Sequence, residues 1–293
     1  MQYTLENDII RLTVDSLGAQ MLHLQSADGV EYLWQGDPAS WEDRAPNLFP
    51  FIGRLTDNTY TFLGKTYPMG IHGFAASEEF QAVSVNKTKL VLVLRSNENT
   101  RSQYPFSFSF QITYGLEGDR LDISFRVENL SDEIMPFGVG GHPGFNVPLI
   151  EGERFEDYEL VFSCPCRPDR VGFTPSVYLS GRDEEYRLRQ NRYMDLRHDL
   201  FDEDAVILKN MAREVVLRSK RSNMGVKVSY PDFPYLGIWH WPKTEAPYVC
   251  IEPWTSLPSR QGVVEEISCK SDMVQLAPGK IFVRSWSITL LMG

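Results

Sequence analysis

Long apolar runs are missing from this chain of 293 residues. None approaches the roughly 20 residues that a helix needs to cross a bilayer, so no membrane-spanning helix is expected. The opening residues, Met1-Gln2-Tyr3-Thr4-Leu5-Glu6-Asn7-Asp8, lack a basic stretch followed by an apolar one, and no secretory signal is expected. Cysteine is scarce. Cys164, Cys166, Cys250 and Cys269 form no CxxC, and Cys164-Pro165-Cys166 is too tight for an ordinary bridge. Reduced thiols in a cytoplasmic setting are expected, rather than a disulfide framework or a zinc site. Positive charge is in deficit too: 29 Lys and Arg face 39 Asp and Glu, a formal net charge of -10. That balance argues against nucleic acid or an anionic membrane surface as a partner. Repeats, low-complexity tracts and charge blocks are absent, and helical patterns are weak and short. The best are residues 38–43, as a capped turn, and 195–201.

Strand patterns are what the chain does have. Residues 106–114 and 121–127 alternate apolar with polar, and the Gly-rich segment between them, Gly115-Leu116-Glu117-Gly118-Asp119-Arg120, predicts an antiparallel hairpin. Similar runs occur at 9–14, 19–25, 89–95, 205–208, 214–217, 225–230, 248–251 and 281–291. Eighteen prolines and twenty-one glycines are spread along the whole length, which marks turns rather than one linker. The expectation is an all-β, antiparallel chain forming a single domain over residues 1–293. So many half-buried strands need two sheets packed face to face, or a closed barrel.

Four charged or titratable residues stand out because Gly, Pro and aromatic residues surround them. His142 lies in Gly140-Gly141-His142-Pro143-Gly144-Phe145-Asn146-Val147-Pro148, after the strand-like 134–139. Glu252 lies in Ile251-Glu252-Pro253-Trp254 and is expected to end the strand 248–251. Arg54 lies in Phe49-Pro50-Phe51-Ile52-Gly53-Arg54-Leu55, and His72 in Gly70-Ile71-His72-Gly73-Phe74. A histidine and a glutamate held this way make a natural acid and base pair, with ordinary pKa values on either side of the working range. The competing interpretation is that these are satisfied core or turn residues, with Arg54 in a structural ion pair. Polar groups at strand ends and in Gly/Pro loops can converge on the open face of a sandwich. Trp239, Trp241 and Trp254 flank Glu252 in sequence and offer flat apolar surface to a ligand, or simply fill core and rim.

Taken together and in order, FPFIGRL, GIHGFA, GGHPGFNVP and YVCIEPW resemble the aldose 1-epimerase (galactose mutarotase) superfamily, and within it the LacX-like branch. The resemblance covers nearly the whole chain. It implies a large antiparallel β-supersandwich with few short helices, and cofactor-free interconversion of the anomers of a free or phosphorylated aldohexose. It implies His142 as general acid, Glu252 as general base, and Arg54 and His72 as ligands of sugar hydroxyls. It also implies a substrate-binding aspartate between acid and base, matched best by Asp204, with Asp199 and Asp202 as neighbours. Trp239 joins the expected sugar-binding set. As the acid, His142 is expected to stay protonated, held so by a neighbouring carboxylate. His240, His23 and His198 are left outside the catalytic set. The expected partner is a small sugar, with no metal and no cofactor, and a homodimer is left open. Three alternatives compete: a carbohydrate-binding or regulatory protein using the same cleft, a glycoside hydrolase requiring two carboxylates, and a metal enzyme with His72, His142 and Glu252 as ligands.

Overall fold

The structure is a computed structural model and describes residues 1–222 and 224–293. In the strand Arg120–Asn129 every second side chain, Leu121, Ile123, Phe125 and Val127, is buried while the residues between them are only partly covered. This strand pairs with Phe108–Glu117 on one side and Ile281–Leu291 on the other. The three lie within a nine-stranded sheet that runs from Tyr193–Asp195 at one edge to Gln81–Val85 at the other. A second sheet of eight strands contains, in order, Glu184–Glu185, Asp169–Arg170, Val206–Lys209, Tyr235–Trp239, Tyr248–Trp254, Gly140–Gly141 and Asn47–Leu48. Gly144–Asn146 also pairs with Tyr248–Trp254. The ladders within both sheets are antiparallel. A three-stranded sheet of Gln2–Glu6, Ile10–Asp15 and Met21–Ser26 lies at the start of the chain.

One apolar cluster takes Leu121, Ile123 and Phe125 from the nine-stranded sheet and Leu208, Ile238, Val249 and Ile251 from the eight-stranded one. The two sheets therefore share a core, and the molecule is an all-β antiparallel sandwich. Among the described residues no helix is long and apolar enough to cross a membrane.

Two local expectations need correction. The hairpin turn is tighter than the glycines suggested. Its strands are Phe108–Glu117 and Arg120–Asn129, and Gly115 pairs within the ladder opposite Asp122. Residues 38–43 do open with a capped turn, in which the Ala39 N–H donates to Asp37 Oδ1 at 2.8 Å, while 195–201 splits into the end of Tyr193–Asp195 and a 3₁₀ turn, His198–Phe201. The one α-helix among the described residues, Glu98–Gln103, carries no apolar stripe and buries only Thr100. It is held by its cap: the Thr100 N–H donates to Asn97 Oδ1 at 2.8 Å, and the Asn97 N–H donates to Thr100 Oγ1 at 2.8 Å.

Candidate active site

The strand Tyr248–Trp254 is buried along its whole length because both of its faces are covered. Val249 and Ile251 enter the shared core. Tyr248 and Cys250 join an aromatic cluster on the opposite face, and Trp254 joins a second apolar cluster there. Glu252 lies between those two clusters. It is therefore not at a strand end, as expected, but in a strand interior. Pro253 does not stop the strand, which stays paired through Tyr235 opposite Trp254.

The ladder also explains how Glu252 meets His142. Gly140 pairs with Trp254 and Gly144 with Cys250. The same antiparallel register carried through the gap sets His142 opposite Glu252, a direct cross-strand pair. The intervening Pro143 has no N–H, but its carbonyl accepts from the Ile251 N–H at 3.2 Å. The backbone of this segment is pinned on its other side as well, with the His142 N–H on Pro46 O at 3.0 Å and the Gly144 N–H on Arg44 O at 2.8 Å. On Glu252's far side its partner is Gly237, where a Cβ would lie 3.2 Å from the Glu252 Cβ and 3.3 Å from Trp254. Glycine there leaves the carboxyl its space.

His142 Nε2 stands 3.1 Å from Glu252 Oε2, with the two side chains 10% and 1% exposed. The approach is close but not aligned as a hydrogen bond. Among the described residues, both Glu252 oxygens, His142 Nδ1 and Trp254 Nε1 are buried with no hydrogen-bond partner. Buried polar atoms are nearly always satisfied, so several orphans on one wall mark a place that a ligand completes. Burial pushes the Glu252 carboxyl well above its ordinary pKa, and the charge of Asp204 adds to this. Burial pushes the His142 imidazole well below its own, with His72 adding to it. The expectation that His142 stays protonated is thereby reversed. Burial thus outweighs the attraction of the pair and favours imidazole beside carboxylic acid, with one proton between them.

The six residues singled out from the sequence, Arg54, His72, His142, Asp204, Trp239 and Glu252, all line one cavity of about 380 Å³. His72 sits in the left-handed region at φ 62°. Its Nδ1 accepts the Gly53 N–H at 3.1 Å, and burial together with the Arg54 charge lowers its pKa to about 4. It is thus neutral at pH 7, and its hydrogen is on Nε2, ready to donate. The segment holding Arg54 is locked to the one after Glu252. Gly53, at φ 71°, has Pro258 where a Cβ would be, and the Ser259 N–H donates to the Arg54 carbonyl at 2.9 Å. Among the described residues the Arg54 guanidinium has no ion-pair partner. Asp204, at φ 81°, caps the turn before Val206–Lys209 by accepting the Ala205 N–H at 2.7 Å. Asp199 instead pairs with Arg197 on the surface, and Asp202 lines a neighbouring cavity.

Trp41 was not foreseen. Its ring lies 5.0 Å from that of His142, stacks on Tyr248 at 5.6 Å and meets Trp239 edge-on at 5.5 Å. It also explains Gly144, where a Cβ would come within 2.9 Å of the Trp41 ring. The only signal was a tryptophan inside what looked like a capped turn. His240 is buried behind this wall, its Nδ1 donating to the Trp241 carbonyl at 2.8 Å and its Nε2 lying 3.1 Å from His198 Nδ1, which makes it a supporting residue. Among the described residues, the three side chains close enough to share a metal ion are His142, Cys250 and Glu252, whose ligand atoms lie within 4.8 Å of one another. Cys250 thus takes the place given to His72 in the metal-enzyme alternative, and burial pushes its thiol pKa well up.

Residues 1–266 match the family model of aldose 1-epimerases. The chain belongs to that family. It is 33% identical over 300 residues to the chromosomal protein LacX of Lactococcus lactis subsp. lactis, covering 99% of this chain and 100% of that one. Two solved structures are also similar. A galactose mutarotase related enzyme from Lactobacillus acidophilus has a TM-score of 0.94 at 37% identity, covering 99% of this chain and 97% of that one. A galactose mutarotase-like protein from Lactobacillus casei ATCC 334 has a TM-score of 0.93 at 31% identity, covering 99% and 100%. The fold of this member of the family is therefore that of the mutarotase-like sandwiches.

Proposed function

We propose that this member of the aldose 1-epimerase family is a mutarotase, interconverting the α and β anomers of a free or phosphorylated aldohexose by acid–base catalysis. The observation that carries the reading is the buried cross-strand pair, His142 Nε2 at 3.1 Å from Glu252 Oε2, opening onto a cavity with unpartnered polar atoms.

Anomer exchange moves two protons and needs nothing else. One leaves the anomeric hydroxyl, and one arrives at the ring oxygen. The ring opens to the aldehyde, the C1–C2 bond turns, and closure on the other face reverses both transfers. Glu252 as carboxylate takes the hydroxyl proton, and His142 as imidazolium gives its proton to the ring oxygen. After ring opening the pair is imidazole and carboxylic acid, the same form that burial favours. The charged form differs from it by one proton moved across the 3.1 Å gap. Sugar oxygens that hydrogen-bond to both groups supply the solvation that the charged form lacks. Each positioned proton transfer is typically worth about 10²–10⁴-fold.

The surrounding residues have matching tasks. The neutral His72 offers its Nε2 hydrogen to a sugar oxygen, and the unpaired Arg54 offers a forked pair of donors. Asp204 accepts from a hydroxyl, while Trp41 and Trp239 meet the apolar C–H surface of the ring. The test is equilibration of freshly dissolved α-anomers, followed by polarimetry or exchange NMR over a panel of free and phosphorylated aldoses. Acceleration of at least one of them over buffer, without added metal or nucleotide, is expected. Binding of sugars with no acceleration of any would instead favour a binding protein.

A further inference from the structure

Cys250 has no part in the acid–base reading, yet it stands beside both members of the pair. It alternates with Glu252 on one face of Tyr248–Trp254, and its backbone is paired on both sides, to Gly144 and to Trp239. His142 reaches the same spot from the neighbouring segment. The three side chains are buried, and their ligand atoms lie within 4.8 Å of one another. Strand positions held by two ladders fix such atoms more firmly than loops do.

The donor set is a thiol, an imidazole and a carboxylate. Such a set suits zinc, and it does not suit Mg²⁺ or Ca²⁺, which take oxygen ligands. Tetrahedral zinc sets its ligand atoms roughly 3.3–3.7 Å apart. His142 Nε2 and Glu252 Oε2, at 3.1 Å, are already that close, so a small rotation of Cys250 completes the set. Charge agrees with size. A buried thiolate and a buried carboxylate are each costly alone, but one dication neutralises both and leaves a neutral imidazole as the third ligand. Among the described residues both Glu252 oxygens lack a hydrogen-bond partner, so no bond has to break for the carboxylate to turn to a metal. Three protein ligands leave the fourth position of a tetrahedron open. The reaction cavity, which His142 and Glu252 both line, supplies the room for it and the way in.

We propose that His142, Cys250 and Glu252 form an inhibitory site for a thiophilic divalent cation, zinc above all, which stops anomer exchange by occupying the acid and the base. Binding releases two protons to solvent, one from the thiol and the one that His142 and Glu252 share. The inhibition rests on the mutarotase reading; the metal site does not.

The experiment titrates the protein with Zn²⁺ by calorimetry, with Mg²⁺ as control, and follows anomer exchange at each ratio. Co²⁺ serves as the coloured stand-in. Zn²⁺ should bind and remove exchange, EDTA should restore it, and Mg²⁺ should do neither. The Co²⁺ protein should show a near-ultraviolet thiolate-to-metal charge-transfer band. Cys164, Cys166 and Cys269 offer thiols elsewhere, so that band must vanish in Cys250→Ser and Cys250→Ala. Both variants should keep parental exchange without metal and bind Zn²⁺ at least about tenfold more weakly, the cost even of losing an outer-shell partner. Equal sensitivity of parent and variants to Zn²⁺, or a Co²⁺ band that survives in the variants or is missing from the parent, would refute the site. Acceleration of exchange by Zn²⁺ would overturn inhibition in favour of a metal enzyme. If no sugar turns over, the mutarotase reading falls, and calorimetry and the Co²⁺ spectra of parent and variants still decide the metal site.

Discussion

Two strands of this molecule run at the centre of their sheets and do opposite things. Arg120–Asn129 follows the rule for a half-buried strand throughout, with four apolar side chains inward and polar ones between. Tyr248–Trp254 sends Val249 and Ile251 to the same core but carries Cys250, Glu252 and Trp254 on its other face, also buried. Between its four apolar residues, the first strand keeps its polar side chains near water, and its buried last residue, Asn129, is satisfied by donating to the Glu133 and Leu276 carbonyls. The second holds a carboxyl at 1% exposure whose oxygens lack hydrogen-bond partners, with glycine opposite and proline next to it. Stability and chemistry thus occupy different faces of the fold, and the site face tolerates an arrangement that a core would reject.

The contrast predicts separable effects of mutation. Phe125→Ala in the regular strand should cost about 3–5 kcal/mol of unfolding free energy, measured by urea denaturation, with anomer exchange per folded molecule near that of the parent. A large loss of exchange rate in protein that remains folded would break the division. Gly237→Ala should do the reverse. Its new Cβ would stand 3.2 Å from that of Glu252, so overpacking of about 1–3 kcal/mol falls on the carboxyl itself. Exchange should drop about tenfold or more, with circular dichroism unchanged; an unaltered rate would show that the space opposite Glu252 does not matter.

His72→Asn should weaken sugar binding more than it slows the bound reaction, seen as a raised KM with a smaller change in kcat. The reverse split would move His72 into the proton transfers. Smallest is the pH dependence of stability. His72 and His240 have pKa values lowered to about 4 in the folded state. The unfolded chain therefore takes up protons first, and stability is lost as pH falls from about 6.5 toward about 4. The His142–Glu252 pair behaves differently. Between the ordinary glutamate and histidine values, 4.5 and 6.5, folded and unfolded states both hold one proton on it, so it contributes no slope. Above 6.5 the unfolded pair has lost that proton and the folded one retains it, so stability falls as pH rises until Glu252 ionises. Urea midpoints at successive pH values should show both declines. Glu252→Gln should remove the alkaline one, and an unchanged alkaline slope in that variant would contradict the raised carboxyl.

The same contrast governs what could be read from the sequence. Lys89–Arg95 and Ile281–Leu291 have the bounds that their sequences suggested: the first is an apolar run buried between two charged ends, and the second alternates in part. Tyr248–Trp254 was cut short at Ile251, since a charged residue followed by proline looks like the end of a strand. Arg54, His72, His142 and Glu252 were visible as polar residues in Gly/Pro/aromatic surroundings, and the cavity gathers all four. Trp41 was not visible, because its role depends on stacking beside His142 and Tyr248 across distant segments. Nor could the choice among Asp199, Asp202 and Asp204 be made from spacing. It depends on the left-handed turn that brings Asp204 to the cavity while Asp199 pairs with Arg197 outside. The protonation of His142 was misjudged for a similar reason. Local sequence does not show how deeply a side chain is buried, and here burial outweighs the neighbouring charge.

The most direct measurement is a double-mutant cycle on anomer exchange with His142→Asn, Glu252→Gln and both together. If the pair acts as one proton-sharing unit, each single variant loses about 10²–10⁴-fold with sugar binding largely kept. The double variant should then be no slower than the slower single, because a unit already broken cannot be broken again. Near-parental exchange in either single variant, or losses that multiply in the double, would contradict a shared pair.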